Sequence, residues 1–373
     1  MTTCDFLVIG AGISGAAAAY ELAAHGKVIV LEAESAPGYH STGRSAALYT
    51  RNFGSPTVRA FNRASFAFLS APPPGFADHP LLSTRGALTI GKADKRPQIE
   101  EHLALGAADD SIVELSQAAA LRLAPHLRPQ AVAFAAYEAD VMDMDVAAIH
   151  QGFLRGLRAR GGTVVCDAGV TALEYRENEW HAQTPAGAFA APVVVNAAGA
   201  WADKIGEMAG AEPVGLVPKR RTVIIVELPD GMDSRSWPAV DEVGYGCYCK
   251  PETGRVLASP ADETPVEPCD VQPEDLDVAI IADWVERNTH IPVHRIARRW
   301  AGLRCFVADD GPVCGFDEEA DGFFWLCGQG GYGIMMSSSL GRTTASLITR
   351  GELPEDIATA GVTAADIAPA RLR

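Results

Sequence analysis

Phe6-Leu7-Val8-Ile9-Gly10-Ala11-Gly12-Ile13-Ser14-Gly15, close to the start of the chain, runs a short apolar stretch into a G-x-G-x-x-G pattern. The apolar stretch has the length and continuity of a strand buried on both faces of a parallel sheet. After it, Ile13, Ala16, Ala17, Tyr20 and Ala24 keep helical spacing, and Gly26 is the expected stop. Lys27-Val28-Ile29-Val30-Leu31 reads as a second apolar strand, and Glu32 ends it. The glycine pattern alone is a weak signal. A strand before it, a helix after it, a second strand and an acid at that strand's end form the context of a dinucleotide-binding unit. Gly10 permits the tight turn, Gly12 lets backbone approach a pyrophosphate, and Gly15 lets helix and strand pack closely. The helix N-terminus, around Ile13 and Ser14, supplies N–H donors and positive potential to phosphates. Glu32 accepts from ribose hydroxyls, which favours an unphosphorylated ribose.

The fingerprint does not separate a nicotinamide from a flavin dinucleotide. The next segment is more informative: a Pro37-Gly38 turn, then Tyr39-His40-Ser41-Thr42-Gly43-Arg44-Ser45-Ala46-Ala47. Small residues with one arginine make a loop suited to close approach of a large ligand. In it Arg44 is expected to neutralise pyrophosphate charge, and Ser41, Thr42 and Ser45 to donate hydrogen bonds to it. His40 reads as a hydrogen-bonding loop residue.

The chain has 373 residues, which at roughly 150 per domain suggests two intertwined domains. The apolar fraction is 48% and the charged fraction 21%, which excludes a disordered chain. Lys and Arg number 31 against 47 Asp and Glu, a formal charge of −16. That field repels phosphate backbones, so no nucleic-acid partner is expected. The 8 cysteines include no C-x-x-C pair, so no metal site is expected and the thiols read as reduced and intracellular. Phe6 to Ala24 lacks the basic leader of a signal peptide. No run of about 20 apolar residues exists, so no transmembrane segment is expected. The expected location is cytoplasmic, with attachment to a membrane surface as the alternative.

The same N-terminal residues, Val8 to Gly15, Leu31-Glu32 and Gly38 to Ala46, resemble the FAD-dependent D-amino-acid oxidase/dehydrogenase superfamily, of the glycine/sarcosine oxidase-like kind. The resemblance continues through Val193-Val194-Val195-Asn196-Ala197-Ala198-Gly199-Ala200-Trp201, Pro218-Lys219-Arg220-Arg221, Ala301-Gly302-Leu303-Arg304 and Gln329-Gly330-Gly331-Tyr332-Gly333. Within the superfamily the sequence looks most like the bacterial D-arginine dehydrogenase branch. The resemblance implies an α/β fold. A discontinuous Rossmann-like FAD-binding domain would take 1–80, 141–210 and 300–373. An α+β substrate-binding domain with an antiparallel sheet would take 81–140 and 211–299. Residues 162–166, 192–196 and 323–327 then read as strands of the first domain, and Ile334 to Ile348 as a helix. Residues 221–226 and 244–249 read as strands of the second, and Glu274 to Arg287 as a helix.

The implied activity is FAD-dependent oxidative deamination of a D-amino acid. A hydride leaves Cα for flavin N5, and the imino acid hydrolyses to a 2-oxo acid and ammonia. A carboxylate clamp holds Cα within reach of the acceptor. By resemblance that clamp is Arg221, Arg304 and Tyr248, with Tyr245 as the alternative phenol. Gly330, Gly331, Tyr332, Gly333 and Ile334 would meet the flavin with backbone N–H groups. Ala46, Val170 and Gly199 complete the implied cofactor surface. Arg220 must point away from Arg221 if their strand is regular.

The implied side-chain pocket is Leu48, Phe53, Ala87 and Met335. Members of the branch that take cationic side chains carry an acid aligned with Ala87, and its loss here points to apolar or small cyclic side chains. Arg51 and Arg85 lie near in sequence, and turned inward they would suit an acidic substrate. The resemblance implies non-covalent FAD, with a tether through Cys305 as the alternative. The electron acceptor is left open among quinone, carrier and O₂. A 2-hydroxy acid or N-methyl amine enzyme is the nearest alternative. The hydroxy acid would need a base, for which His40 and His294 are the candidates. A non-catalytic flavin-binding module is the second alternative.

Overall fold

A computed structural model describes residues 1–373 apart from Ala107, Asp110 and Tyr245. Among the described residues, the fold is a mixed α/β assembly of four sheets. One is six-stranded, in the spatial order Thr163–Val165, Val28–Leu31, Phe6–Ile9, Val193–Asn196, Phe323–Cys327 and Val313–Phe316. Its first five strands are parallel and the last is antiparallel. These strands read as continuous apolar runs because both faces are covered. Leu7 and Trp325 belong to one core cluster, and Val8, Val195 and Phe324 to the cluster on the other face. The helix Ile13–Leu22 follows the first strand, and its alanines let it lie closely on the last long helix, Ser337–Arg350.

The second large sheet has nine strands. Its two longest strands, Val217–Glu227 and Ile296–Phe306, are paired antiparallel at one edge. Next to them come Arg255–Ser259, Tyr248–Glu252, Ala239–Glu242, Ala87–Gly91 and Phe134–Glu138. The sheet is antiparallel except where Ala239–Glu242 runs parallel to Ala87–Gly91. Residues directly opposite in a ladder share a face. Leu88, Val240, Cys249, Ala258 and Ile224 therefore form one face, buried against Val278, Ile281 and Trp284 of the helix Asp275–Asn288. The other face carries Arg221, Val223 and Tyr248 toward the six-stranded layer.

Three elements depart from the sequence expectation. The first helix ends at Leu22, and tight turns at Ala24 and His25 take the chain to Gly26. The strand expected over 244–249 begins only at Tyr248, because Gly244 and Gly246 adopt φ of 72° and 81° in a turn; Tyr245 lies outside the described residues. The last long helix begins at Ser337, since a turn from Tyr332 to Met336 intervenes after the glycine cluster. Among the described residues, no helix is long and apolar enough to cross a membrane.

Candidate active site

The carboxyl ends of the parallel strands and the Arg221-bearing face of the nine-stranded sheet enclose a cleft of about 460 Å³. It runs from Glu32 to Arg221 and Arg304. At one end Gly10 makes the turn after the first strand with φ of 102°. A Cβ there would lie 2.4 Å from the Ala197 carbonyl oxygen, and one at Gly15 would lie 1.9 Å from the Gly10 oxygen. Both positions are thus closed to any side chain. Thr42 Oγ1 accepts from the Ile13 N–H at 3.0 Å and caps the helix from a distant loop. Glu32 is buried, and its two carboxylate oxygens accept from Ala11 N at 2.9 Å and Glu34 N at 3.0 Å. Each oxygen keeps a lone pair for a ribose hydroxyl. His150, which the sequence reading missed, steadies the same turn: its Nε2 lies 2.8 Å from the Ala11 carbonyl oxygen, and burial lowers its pKa.

At the other end, Arg220 and Arg221 diverge as a regular strand requires. Arg220 turns to Glu274, to Asp277 at 3.0 Å and to Asp262 at 3.5 Å. Arg221 lies opposite Gly302 and faces the cleft. Its Nε donates to the Asp262 carbonyl at 2.9 Å, and its Nη2 meets Glu263 Oε1 at 2.9 Å. Burial, then the neighbouring positive charge of Arg304, lowers its pKa to about 10. Arg304 also lines the cleft and makes no hydrogen bond or ion pair among the described residues. Gly331, with φ of 99°, leaves it room: a Cβ there would lie 2.9 Å from Arg304 Cδ. The Tyr248 hydroxyl and Gln329 Nε2 line the same cleft, buried and without partners among the described residues. Two adjacent guanidiniums, one unneutralised, beside an orphaned phenol make a site for an anion.

A family model described as FAD dependent oxidoreductase matches residues 5–347. The chain belongs to this family. Its relatives include mouse mitochondrial sarcosine dehydrogenase, 26% identical over 57% of this chain and 25% of that protein. Glycine oxidase of Geobacillus kaustophilus is 27% identical over 65% of this chain and 63% of the enzyme. The chain thus aligns with about a quarter of the first relative and under two thirds of the second. The crystal structure of that glycine oxidase superposes with a TM-score of 0.82, covering 97% of this chain and 99% of the other at 22% identity. An L-proline dehydrogenase from P. horikoshii superposes at 0.83, covering 99% and 98% at 21% identity.

The residues present fit the FAD of this family. Gly10, Gly12, Ile13, Ser14 and Glu32 line one end of the cleft and would hold the dinucleotide, with Ser41, Thr42, Arg44, Ser45, Ala46, Val170 and Gly199 along its walls. Gly330, Gly331, Gly333 and Ile334 line the end near Arg304. Gly15 works from behind the turn, and Tyr332 lies outside the cleft lining, edge-on to Phe53 at 5.3 Å. Trp201, Lys204 and Met208 also line the cleft, as Glu34 and His40 do, and none of the three was expected from sequence as a site residue. His40 Nε2 lies 2.8 Å from Glu34 Oε1, and its ring leans on Trp201 at 4.7 Å.

Several expectations need correction. Arg44 does not present a free charge to phosphate. Its guanidinium donates to the carbonyls of Val271 and Ala301 at 3.1 Å and pairs with Asp270, whose carboxyl it holds below the ordinary range. Ser41 spends its hydroxyl hydrogen on the Leu303 carbonyl at 2.7 Å. Both instead tie the cofactor loop to the nine-stranded sheet. The Cys305 thiol lines the cleft, but burial pushes its pKa up to about 12, which does not suit a nucleophilic tether.

The expected side-chain pocket does not assemble in the cleft lining. Met335 is buried in a core cluster with Ile13, Ala16 and Tyr20, and Phe53 is 54% exposed. Leu48 pairs with Asp143 in a separate three-stranded sheet. Ala87 sits between Ala239 and Glu138, strands away from Tyr248. That part of the sheet face is polar as well: Lys250 meets Asp143 at 2.9 Å, and Glu138 accepts from Thr50 at 3.0 Å. Arg85 is paired with Asp143 at 2.6 Å and Arg51 with Asp140, so neither brings a free charge inward. His294 is exposed and outside the cleft lining.

Proposed function

We propose that this FAD-dependent oxidoreductase oxidises the C–N bond of a small amino acid, with D-α-amino acids as the leading substrate class. The observation that carries this reading is the unpaired Arg304 beside Arg221 and the orphaned Tyr248 hydroxyl, at the glycine-lined end of the cleft. Arg304 and the free Nη1 of Arg221 bind the substrate carboxylate, and Tyr248 donates to it. That anchorage fixes Cα against the cofactor and restricts its approach to one direction. Bound FAD supplies a two-electron acceptor for the Cα hydride. The substrate ammonium first gives one proton to water; the freed lone pair forms the C=N bond as the hydride leaves, and the resulting iminium gives a second proton to water, with no strong protein base required. The imino acid then hydrolyses to a 2-oxo acid and ammonia.

A 2-hydroxy acid would need a base at the clamp. His40, the candidate that lines the cleft, is engaged with Glu34 near Trp201. A second reading, N-methylglycine or a similar secondary amine, is favoured by the sarcosine and glycine named in the relatives, and Leu48, Phe53, Ala87 and Met335 are not part of the described cleft lining. Residues 1–80, 141–210 and 300–373 would hold FAD in either case, with 81–140 and 211–299 covering the substrate. The test is anaerobic mixing of the holoprotein with D-amino acids, N-methylglycine and 2-hydroxy acids, read at the flavin band. Bleaching by D-amino acids supports the first reading and bleaching by N-methylglycine alone the second. Bleaching by hydroxy acids alone, or none at all, refutes both.

A further inference from the structure

The carboxylate most intimate with the anion clamp belongs to the protein. Glu263 bridges Arg221 Nη2 at 2.9 Å and Lys219 Nζ at 3.1 Å. Its side chain is 47% exposed, while Arg221 is 8% exposed. Glu263 is therefore a rim residue whose head reaches a buried guanidinium. It is not held by chance. The preceding Asp262 is buried and accepts from Thr222 N at 2.6 Å and Thr222 Oγ1 at 3.0 Å, and its own carbonyl takes Arg221 Nε. Glu263 also acts on the Tyr332 phenol, as do Arg221 and Arg304. Glu263 touches the clamp through Arg221 while lying outside the cleft lining itself.

The consequence is a restricted hydrogen-bonding inventory. Arg221 spends Nε on a backbone carbonyl and Nη2 on Glu263, so Nη1 is the nitrogen without a partner among the described residues. Lys219, which lies opposite Arg304 in the strand register, is neutralised by the same carboxylate. One carboxylate can still bridge Nη1 and Arg304. A second anionic group held beside Arg221 would feel the Glu263 charge on that guanidinium, with no free cation to offset it among the clamp residues.

We propose that Glu263 is a specificity-determining residue that admits monocarboxylates to the clamp and repels dicarboxylates. The proposal rests on the reading of Arg221 and Arg304 as the carboxylate clamp. Acetate and malonate, neither of them an amine, are titrated into the FAD-loaded protein and read by perturbation of the flavin spectrum. Glu263→Gln is expected to tighten malonate about tenfold, the scale of one relieved like-charge contact, and acetate much less. Lys219→Met leaves Glu263 less neutralised and is expected to move the malonate-to-acetate ratio the opposite way. An unchanged ratio in Glu263→Gln overturns the proposal. So does a loss of acetate binding in Glu263→Gln, which would make Glu263 a support that orients Arg221. If Glu263→Gln fails to hold FAD, Lys219→Met decides alone. Arg304→Met separates the two levels: if it leaves both affinities unchanged, the clamp reading itself fails. If it weakens both while the Glu263→Gln ratio stays fixed, only the role of Glu263 fails.

Discussion

Arg304→Met separates binding from folding in one substitution. The native guanidinium makes no hydrogen bond or ion pair among the described residues, and its charge pushes the Arg221 pKa down. Removing it leaves no protein group newly unpaired and relieves a like-charge contact, so thermal stability should hold or rise. Substrate binding should collapse. Deleting one partner of a desolvated, hydrogen-bonded charge pair costs roughly 2–5 kcal/mol, or about 30-fold to several thousand-fold in apparent affinity. Methionine keeps the bulk beside Gly331 and leaves the cofactor cradle intact. Anaerobic stopped-flow reduction of the flavin across a D-amino-acid series gives the apparent dissociation constant and limiting rate. Thermal unfolding followed by flavin fluorescence gives the stability. An unchanged saturation curve refutes the clamp. A large drop in melting temperature refutes the claim that Arg304 is structurally idle. Arg221→Met is the instructive contrast: it strips partners from Glu263 and the Asp262 carbonyl, and should lower stability by about 1–3 kcal/mol as well as binding.

Gly10→Ala should yield a protein without bound flavin, since the new Cβ meets the Ala197 carbonyl at a backbone φ that L-residues rarely adopt; normal flavin content in the purified variant would contradict this. Glu32→Gln sets an amide donor against one of two backbone donors, Ala11 N or Glu34 N, and should weaken FAD about fivefold to 150-fold, roughly 1–3 kcal/mol, in a reconstitution titration. Acid precipitation should release the flavin into the supernatant, because the Cys305 thiol is buried and held near 12; colour retained in the pellet would refute this. His126, buried and stacked on Trp237, has its pKa lowered to about 4 by burial. Its neutral form favours the folded state fully above the unfolded value of 6.5, and this contribution is lost as pH falls from 6.5 toward 4. Relative to His126→Gln, the wild type should lose about 3 kcal/mol across that window, and a pH-independent difference between the two would refute the assignment.

The dinucleotide end was legible in the sequence because its determinants are local. A turn with positive φ at Gly10, a close helix–strand approach at Gly15 and an acid closing the second strand all follow from short-range geometry. The alternation that sends Arg220 and Arg221 to opposite faces is equally local, a property of any regular strand. The family resemblance added the pairing of Arg221 with Arg304. What the sequence did not reveal depends on residues far apart in the chain. Asp270 takes the Arg44 charge, His150 steadies the Ala11 turn, and Glu263 claims one edge of Arg221. The expected pocket failed to assemble for the same reason. Whether Met335 or Phe53 faces ligand, core or solvent is set by how the helices and the three-stranded sheet pack, and hydrophobicity alone does not distinguish those surroundings. Local backbone chemistry determined where a dinucleotide can lie. Charge compensation, which acts through space between distant segments, was decided only when the two sheets closed on each other.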